Sequence, residues 1–190
     1  MSASATSPKR MGPAERRTQL LAAARTVLAR DGLARFSMEA VSREAGVAAT
    51  LPRHYFASRD GLLAATAIEV IGDITRTLVI AHPDTGLAER LRAYIAKLAE
   101  EPWAHSVWLG AARIHPDLDR VVQRTHRRMA ELSYGRRWRD MSAPEQLAAA
   151  GWIGFADAAV ARWIEGGGRD QRELLDALLD GARRLGVSGL

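Results

Sequence analysis

The sequence contains no cysteine, which excludes a disulfide framework, a thiolate nucleophile and a Cys-ligated zinc, and suits a reducing compartment such as the cytoplasm. Its first residues, MSASATSPKRMGP, lack an apolar core and read as a disordered Ser/Ala/Pro tail over residues 1–13 rather than a secretion signal. No segment alternates polar and apolar residues as a strand does, and no repeat of fixed period suggests a solenoid. The one long apolar run, 147–164, is interrupted by Asp157 and Arg162 and is mostly Ala and Gly. Burial in protein is therefore expected, not a membrane span. Catalytic constellations are also missing. Asp117 and Asp119 point apart on a helix, and Ser106 beside His105 has no third group to orient it. Gly166, Gly167 and Gly168 follow no strand, so they form a hinge rather than a phosphate cradle. His115 and His126 are separated by about 16 Å of helix rise, too far to share a metal. No enzyme activity, metal or cofactor is expected.

What is present is helical patterning in an ordinary soluble composition, 47% hydrophobic and 26% charged over 190 residues. From 14 to 30 the residues Leu20, Leu21, Ala24, Val27 and Leu28 make one buried stripe, which Asp31-Gly32 stops. Phe36 reads as a core plug. Ser37 offers an N-cap to a second helix through Ala45, with Met38, Val41 and Ala45 inward. Gly46 can take the left-handed turn, Val47 anchors it, and a third helix runs from Ala48 or Ala49 to Tyr55. Ser58 caps a longer helix carrying Leu62, Leu63, Ile68, Ile71, Ile74 and Leu78, ended by His82-Pro83. Further helices are expected over 87–100, 103–114, 117–139, 143–165 and 170–185, about nine in all and no sheet: an all-α chain.

Charge is unevenly placed. Residues 1–60 hold 10 Lys+Arg against 5 Asp+Glu and residues 61–190 hold 17 of each, so the whole net +5 lies in the first third. The same third contains SMEAVSREAGVAATLPRHYF over 37–56, two short helical patterns meeting at Ala45-Gly46-Val47, the signature of a helix-turn-helix DNA reader. In such a motif the second helix enters the major groove, making Ala49, Thr50, Arg53 and His54 the residues that face base edges, with Leu51 and Phe56 packed inward. Arg53 suits either a two-pronged bond to guanine or a phosphate contact. Arg43 is a phosphate contact or a solvated charge, and Lys9 and Arg10 either enter a minor groove or are only a basic tail.

Residues 14–63, with ERRTQLLAAARTVLARDG, FSMEAVSREAGVAATLPRHYF and SRDGLL in that order, resemble the TetR/AcrR family of one-component transcriptional regulators. The resemblance implies a three-helix DNA-binding head over 14–60 and a helical effector-binding and dimerisation domain over 61–190. It also implies that Tyr55 and Arg59, with Ser37 at its helix N-terminus, lie near the DNA backbone. Two departures stand out: Ala48 occupies a position where the family often has Ser or Thr as a cap, and Pro52 lies inside the third helix. Many members also have tyrosine where Arg53 stands. The function implied is that of a homodimeric regulator, most often a repressor, released from a near-palindromic double-stranded operator by a small-molecule effector.

Trp103, His105 and Trp108 are the candidate residues for an apolar effector pocket, core packing being the alternative for each tryptophan. In the last two helices Trp152, Phe155, Ala159 and Trp163, with Leu174 and Leu178, give apolar faces wide enough either for a monomer core or for a face shared with a second copy. Gly151, Gly154 and Ala158 admit close approach of another helix. Two other readings stay open: an all-helical small-molecule enzyme, and a helical adaptor with an incidental basic N-terminus.

Overall fold

The computed structural model describes residues 11–79 and 85–187, and among these there are ten α-helices, two 3-10 turns and no strand. The expectations for Lys9, Arg10 and the His82-Pro83 helix stop, and for the side chain of Leu78, lie outside the described residues. The chain divides after Thr66 into two compact units, each described separately below.

The first unit contains α1 (Pro13–Asp31), α2 (Met38–Ala45), α3 (Leu51–Phe56) and the start of α4 (Arg59–Val79). Pro13 opens α1 where its missing N–H is no loss, and the Gly12 N–H donates to Glu15 Oε2 at 2.9 Å. Leu20, Leu21, Ala24, Val27 and Leu28 are buried, as their spacing predicts. Gly32, at φ 74°, ends the helix in a conformation that side-chain-bearing residues avoid. Ser37 Oγ then accepts from the Ala40 N–H at 3.1 Å and caps α2, which closes on Gly46 in the left-handed region at φ 64° and ψ 37°.

The third helix begins later than the pattern from Ala48 suggested. It starts at Leu51, which puts Pro52 at the second helical position, where no intrahelical bond is asked of its nitrogen. The Thr50 side chain makes no cap bond, so no hydroxyl takes over the role that Ala48 cannot fill. The cap at α2 therefore carries more of the motif's order. Ser37→Ala should cost about 1 kcal/mol, read as a lower melting temperature. Ser37→Asp should preserve stability, and an unchanged melt for the alanine variant would show that the cap is dispensable.

The second unit holds the rest of α4, then α5 (Leu87–Glu100), α6 (Pro102–Leu109), α7 (Ala111–Ile114), α8 (Pro116–Tyr134), α9 (Ala143–Glu165) and α10 (Gln171–Arg184). Two expected helices are shorter than the pattern implied. The 103–114 segment breaks at Gly110, and the 117–139 segment stops at Gly135, whose φ of 63° closes α8 before a 3-10 turn at Trp138–Asp140. Past Gly110 the next short helix buries Ala111, whereas the turn at Trp138–Asp140 buries none of its residues. Ser142 and Glu145 form a capping box for α9, and Asp170 Oδ1 accepts from the Arg172 and Glu173 N–H groups at the start of α10.

By length and composition alone α9 could cross a membrane. In this unit it packs Ala149, Trp152, Ile153 and Val160 into the core. Its contact with α10 is very close: a Cβ at Gly181 would lie 2.3 Å from Phe155 Cε1. Gly151 and Gly154, expected to provide such an approach, face outward instead, and a Cβ at either would meet nothing within 4 Å.

Candidate nucleic-acid interface and buried cavity

The helix-turn-helix is held from behind by α1. Gln19 Nε2 donates to Ala45 O at 2.9 Å, taking up a carbonyl that the end of α2 leaves unpaired, and Arg30 Nη1 meets Glu44 Oε2 at 2.7 Å. A hydrogen bond from Arg30 also holds the Asp31 carboxyl below the usual carboxylate range. One guanidinium thus meets two carboxylates on the supporting side of the motif. Phe56 at the end of α3 is buried, with the Arg17 guanidinium 5.2 Å from its ring centre.

The opposite side is open. Arg43, Ala49, Thr50, Arg53 and His54 are exposed, Ser37 and Tyr55 are half-buried, and Pro52 is buried. Thr50, Arg53 and His54 stand three and four residues apart and so share one helix face, with Ala49 a turn before Arg53. The His54 and Tyr55 rings meet edge to face at 5.4 Å. A small methyl group, a hydroxyl, a guanidinium and an imidazole thus lie together on one surface, a set able to donate to base edges and phosphates.

Arg59 is placed differently from the expectation of a backbone contact. Its Nε donates to Phe36 O at 3.0 Å, Nη2 to Leu33 O at 3.1 Å and Nη1 to Asp60 Oδ1 at 3.0 Å, with the guanidinium 5.6 Å from the Phe36 ring centre. Those donors tie the first turn of α4 to the segment leading into Ser37. Between α3 and α4 the chain turns on one residue: Ala57 has φ 61° and ψ −46°, and the Ser58 N–H donates to Phe56 O at 2.6 Å, a strained γ-turn. Phe56 O also occupies the space over Gly61, where a Cβ would lie 2.3 Å from it. Sequence reasoning missed Gln19, Arg17 and Gly61, because what they do depends on long-range contacts that no local pattern displays.

In the second unit His105 and Trp108 line a void of about 10 Å³, while Trp103 is buried outside both this void and a neighbouring one of about 60 Å³. Tyr94 and Met129 line both. Asp157, in the middle of α9, sits against the same cluster: His105 Nε2 lies 3.1 Å from its main-chain oxygen and Trp108 Nε1 donates to its Oδ2 at 3.4 Å. Burial pushes the His105 imidazole below its ordinary range, and burial raises the Tyr94 phenol. In the sequence Asp157 is legible only as an interruption in an apolar run.

Of the residues expected on a shared face, Trp152, Leu174 and Leu178 are buried within this unit, Trp152 with its Nε1 donating to Ser133 Oγ at 3.2 Å. They are core residues here: α8 and α10 pack on α9, which carries Trp152, and α5 and α9 pack on α10, which carries Leu174 and Leu178. Ala159 and Trp163 are half-buried, and Trp163 Nε1 donates to Asp170 O at 2.9 Å. Phe155 is 39% exposed and Leu147 76% exposed. With Ala150, Gly151, Gly154 and Ala158, all exposed, they form an outward apolar stripe along α9.

Comparison with known proteins agrees with this architecture. Residues 20–66 match the sequence profile of the bacterial regulatory proteins of the tetR family. The HTH-type transcriptional regulator BetI of Vibrio atlanticus is 35% identical over 91 residues, 46% of each chain, and BetI 2 of Chromohalobacter salexigens is 38% identical over 60 residues, 32% of this chain and 29% of that one. The match thus spans about half or less of these curated relatives. A TetR-like transcriptional regulator from Rhodococcus sp. RHA1 superposes with TM-score 0.67 at 25% identity, covering 95% of this chain and all (100%) of that one. A tetR-family regulator from Streptomyces coelicolor superposes with TM-score 0.75 at 22% identity, covering 92% and 82%. With the profile on the helix-turn-helix and the likeness of fold extending over both units, residues 20–66 carry the tetR-family pattern and the chain shares the fold of TetR-like regulators.

Proposed function

We propose that this protein is a cytoplasmic, homodimeric DNA-binding repressor that leaves a near-palindromic operator when a small molecule enters its second unit. The observation that carries the DNA reading is the exposed set Ala49, Thr50, Arg53 and His54 on a short helix whose supporting side is packed and hydrogen-bonded to α1. One such head buries little DNA surface, so two copies with recognition helices roughly 34–36 Å apart supply affinity. The outward stripe from Leu147 to Ala158 on α9 supports self-association. α4 carries Arg59 in the first unit and Ile71 and Ile74 beside the smaller void in the second. An effector that prefers one position of α4 therefore biases the head, provided operator prefers another.

Selection of bound duplexes from a random pool tests the reading and should return an inverted repeat; no enrichment at physiological salt would sink it. Arg53→Ala should then weaken the selected operator by about 1–3 kcal/mol and relax preference at one base pair per half-site. Arg59 serves as a positioning residue. Arg59→Ala should lower the melting temperature and weaken every sequence, with the slope of log affinity against log salt unchanged. A slope reduced by about one would show instead that Arg59 neutralises a phosphate.

A further inference from the structure

Away from the head, a partly buried cluster of polar and aromatic groups surrounds Asp157. Its Oδ2 receives the Trp108 indole N–H at 3.4 Å and lies 3.1 Å from His126 Nε2. That second approach is too poorly angled to satisfy the imidazole nitrogen, which remains buried without a hydrogen bond. The Trp108 and His126 rings meet edge to face at 4.8 Å. The Tyr94 phenol faces the same carboxylate electrostatically. Arg90 also lines the larger void, but it already has an interaction of its own.

The surrounding walls are apolar: Leu91, Leu132 and Ile153 on one side, Ile71, Ile74 and Leu98 on the other. At about 60 and 10 Å³ the two voids are far smaller than the roughly 300–1,000 Å³ of an ordinary ligand pocket. Only Tyr94 and Met129 line both, and these side chains have rotamers to spare. Rotation of these two side chains would join the voids into one elongated chamber, with Asp157 in the wall of the larger part. A carboxylate with an oxygen to offer, flanked by aromatic faces in a low-dielectric wall, attracts a compact organic cation and rejects an anion.

We propose that the chamber binds an apolar molecule bearing a single protonated amine, with the ammonium on Asp157 against Trp108 and Tyr94 and the hydrocarbon between α5 and α9. This rests on the effector reading above and specifies its ligand class. The test uses the full chain and three probes of equal chain length below their aggregation concentrations: octylamine, octanol and octanoate. Binding is followed by calorimetry and by tryptophan fluorescence. Octylamine should bind at least tenfold more tightly than octanol, with octanoate weakest. Asp157→Asn should remove the amine's advantage while leaving octanol affinity unchanged.

Equal affinities for the three probes, or a preference for octanoate, overturn the assignment of the head group while leaving the cavity as the effector site. Failure of all three to bind overturns the cavity reading itself. Because the comparison of probes on the unmodified protein decides the head group, a variant that folds poorly does not rescue the proposal.

Discussion

On the proposed homodimeric reading, Gly154→Arg should yield a monomer and reduce operator affinity by about 100-fold or more, the factor that linking two binding modules typically contributes. The argument starts from empty space. A Cβ at Gly154 meets nothing within 4 Å in the isolated chain, and the residue is exposed, so the folded subunit has room for the new side chain. Replacing a helical glycine also favours the helix by up to about 1 kcal/mol. The variant should therefore melt at the same or a higher temperature while sedimenting at half the mass. Only a second copy laid along the stripe of Leu147, Ala150, Gly151, Phe155 and Ala158 would be disturbed. A Gly154→Arg protein that remains dimeric at micromolar concentration places the self-association face elsewhere. Gly181→Ala is the contrasting case: the Phe155 ring already fills that position, so its damage should appear in the subunit's own stability.

Trp152→Ala should destabilise the second unit by about 3–5 kcal/mol, the range for emptying an aromatic site in a packed interior. Trp152 is 2% exposed, stacks on Phe155 at 6.0 Å between ring centres, and lines the larger void. Its removal enlarges a space that is already there and leaves the Ser133 hydroxyl without its indole donor. For a chain of this size the melting temperature should fall by about 6–20 °C. Trp152→Phe keeps most of the volume and should fall much less. If the alanine variant melts within a degree or two of the original, α9 is held by contacts other than this one. A Gly154→Arg result can then be read without concern that α9 had simply come loose.

Local signals carry much of the fold. Ser37, Gly46 and the stripe from Leu20 to Leu28 are recognisable because a cap, a left-handed turn and a buried helix face each need particular residue types at fixed spacing. The helix ends at Gly110 and Gly135 are harder to read: Ala111 is buried just past the first, and past the second stands Trp138, apolar but only half-buried. Pro52 looks like a defect in α3 only while the helix is thought to begin before Leu51. The candidate DNA face can be read off in sequence, since residues at i, i+3 and i+4 sort themselves. The role of Arg59 cannot, since its acceptors are Phe36 O and Leu33 O, main-chain atoms more than twenty residues away. Trp152, Leu174 and Leu178 suggest a shared face in the sequence because composition alone cannot say which apolar stripe of a two-sided helix finds its cover inside the same subunit. The grouping of Tyr94, His105, Trp108, His126 and Asp157 is hidden for a related reason: four helices bring them together.

The turn at Ala57 has a bearing on how such a protein can be redirected to new DNA. A one-residue γ-turn, a glycine at 61 that nothing larger can replace, and a guanidinium fastened across the corner leave no slack between α3 and α4. An inserted residue there would break the γ-turn and the Arg59 bridges together, and with them the presentation of α3. Changes confined to positions 49, 50, 53 and 54 leave every one of those restraints intact. On the proposed DNA reading, base choice and helix presentation are written in separate residues, and a library varied at the first four alone should yield folded proteins with new target sequences.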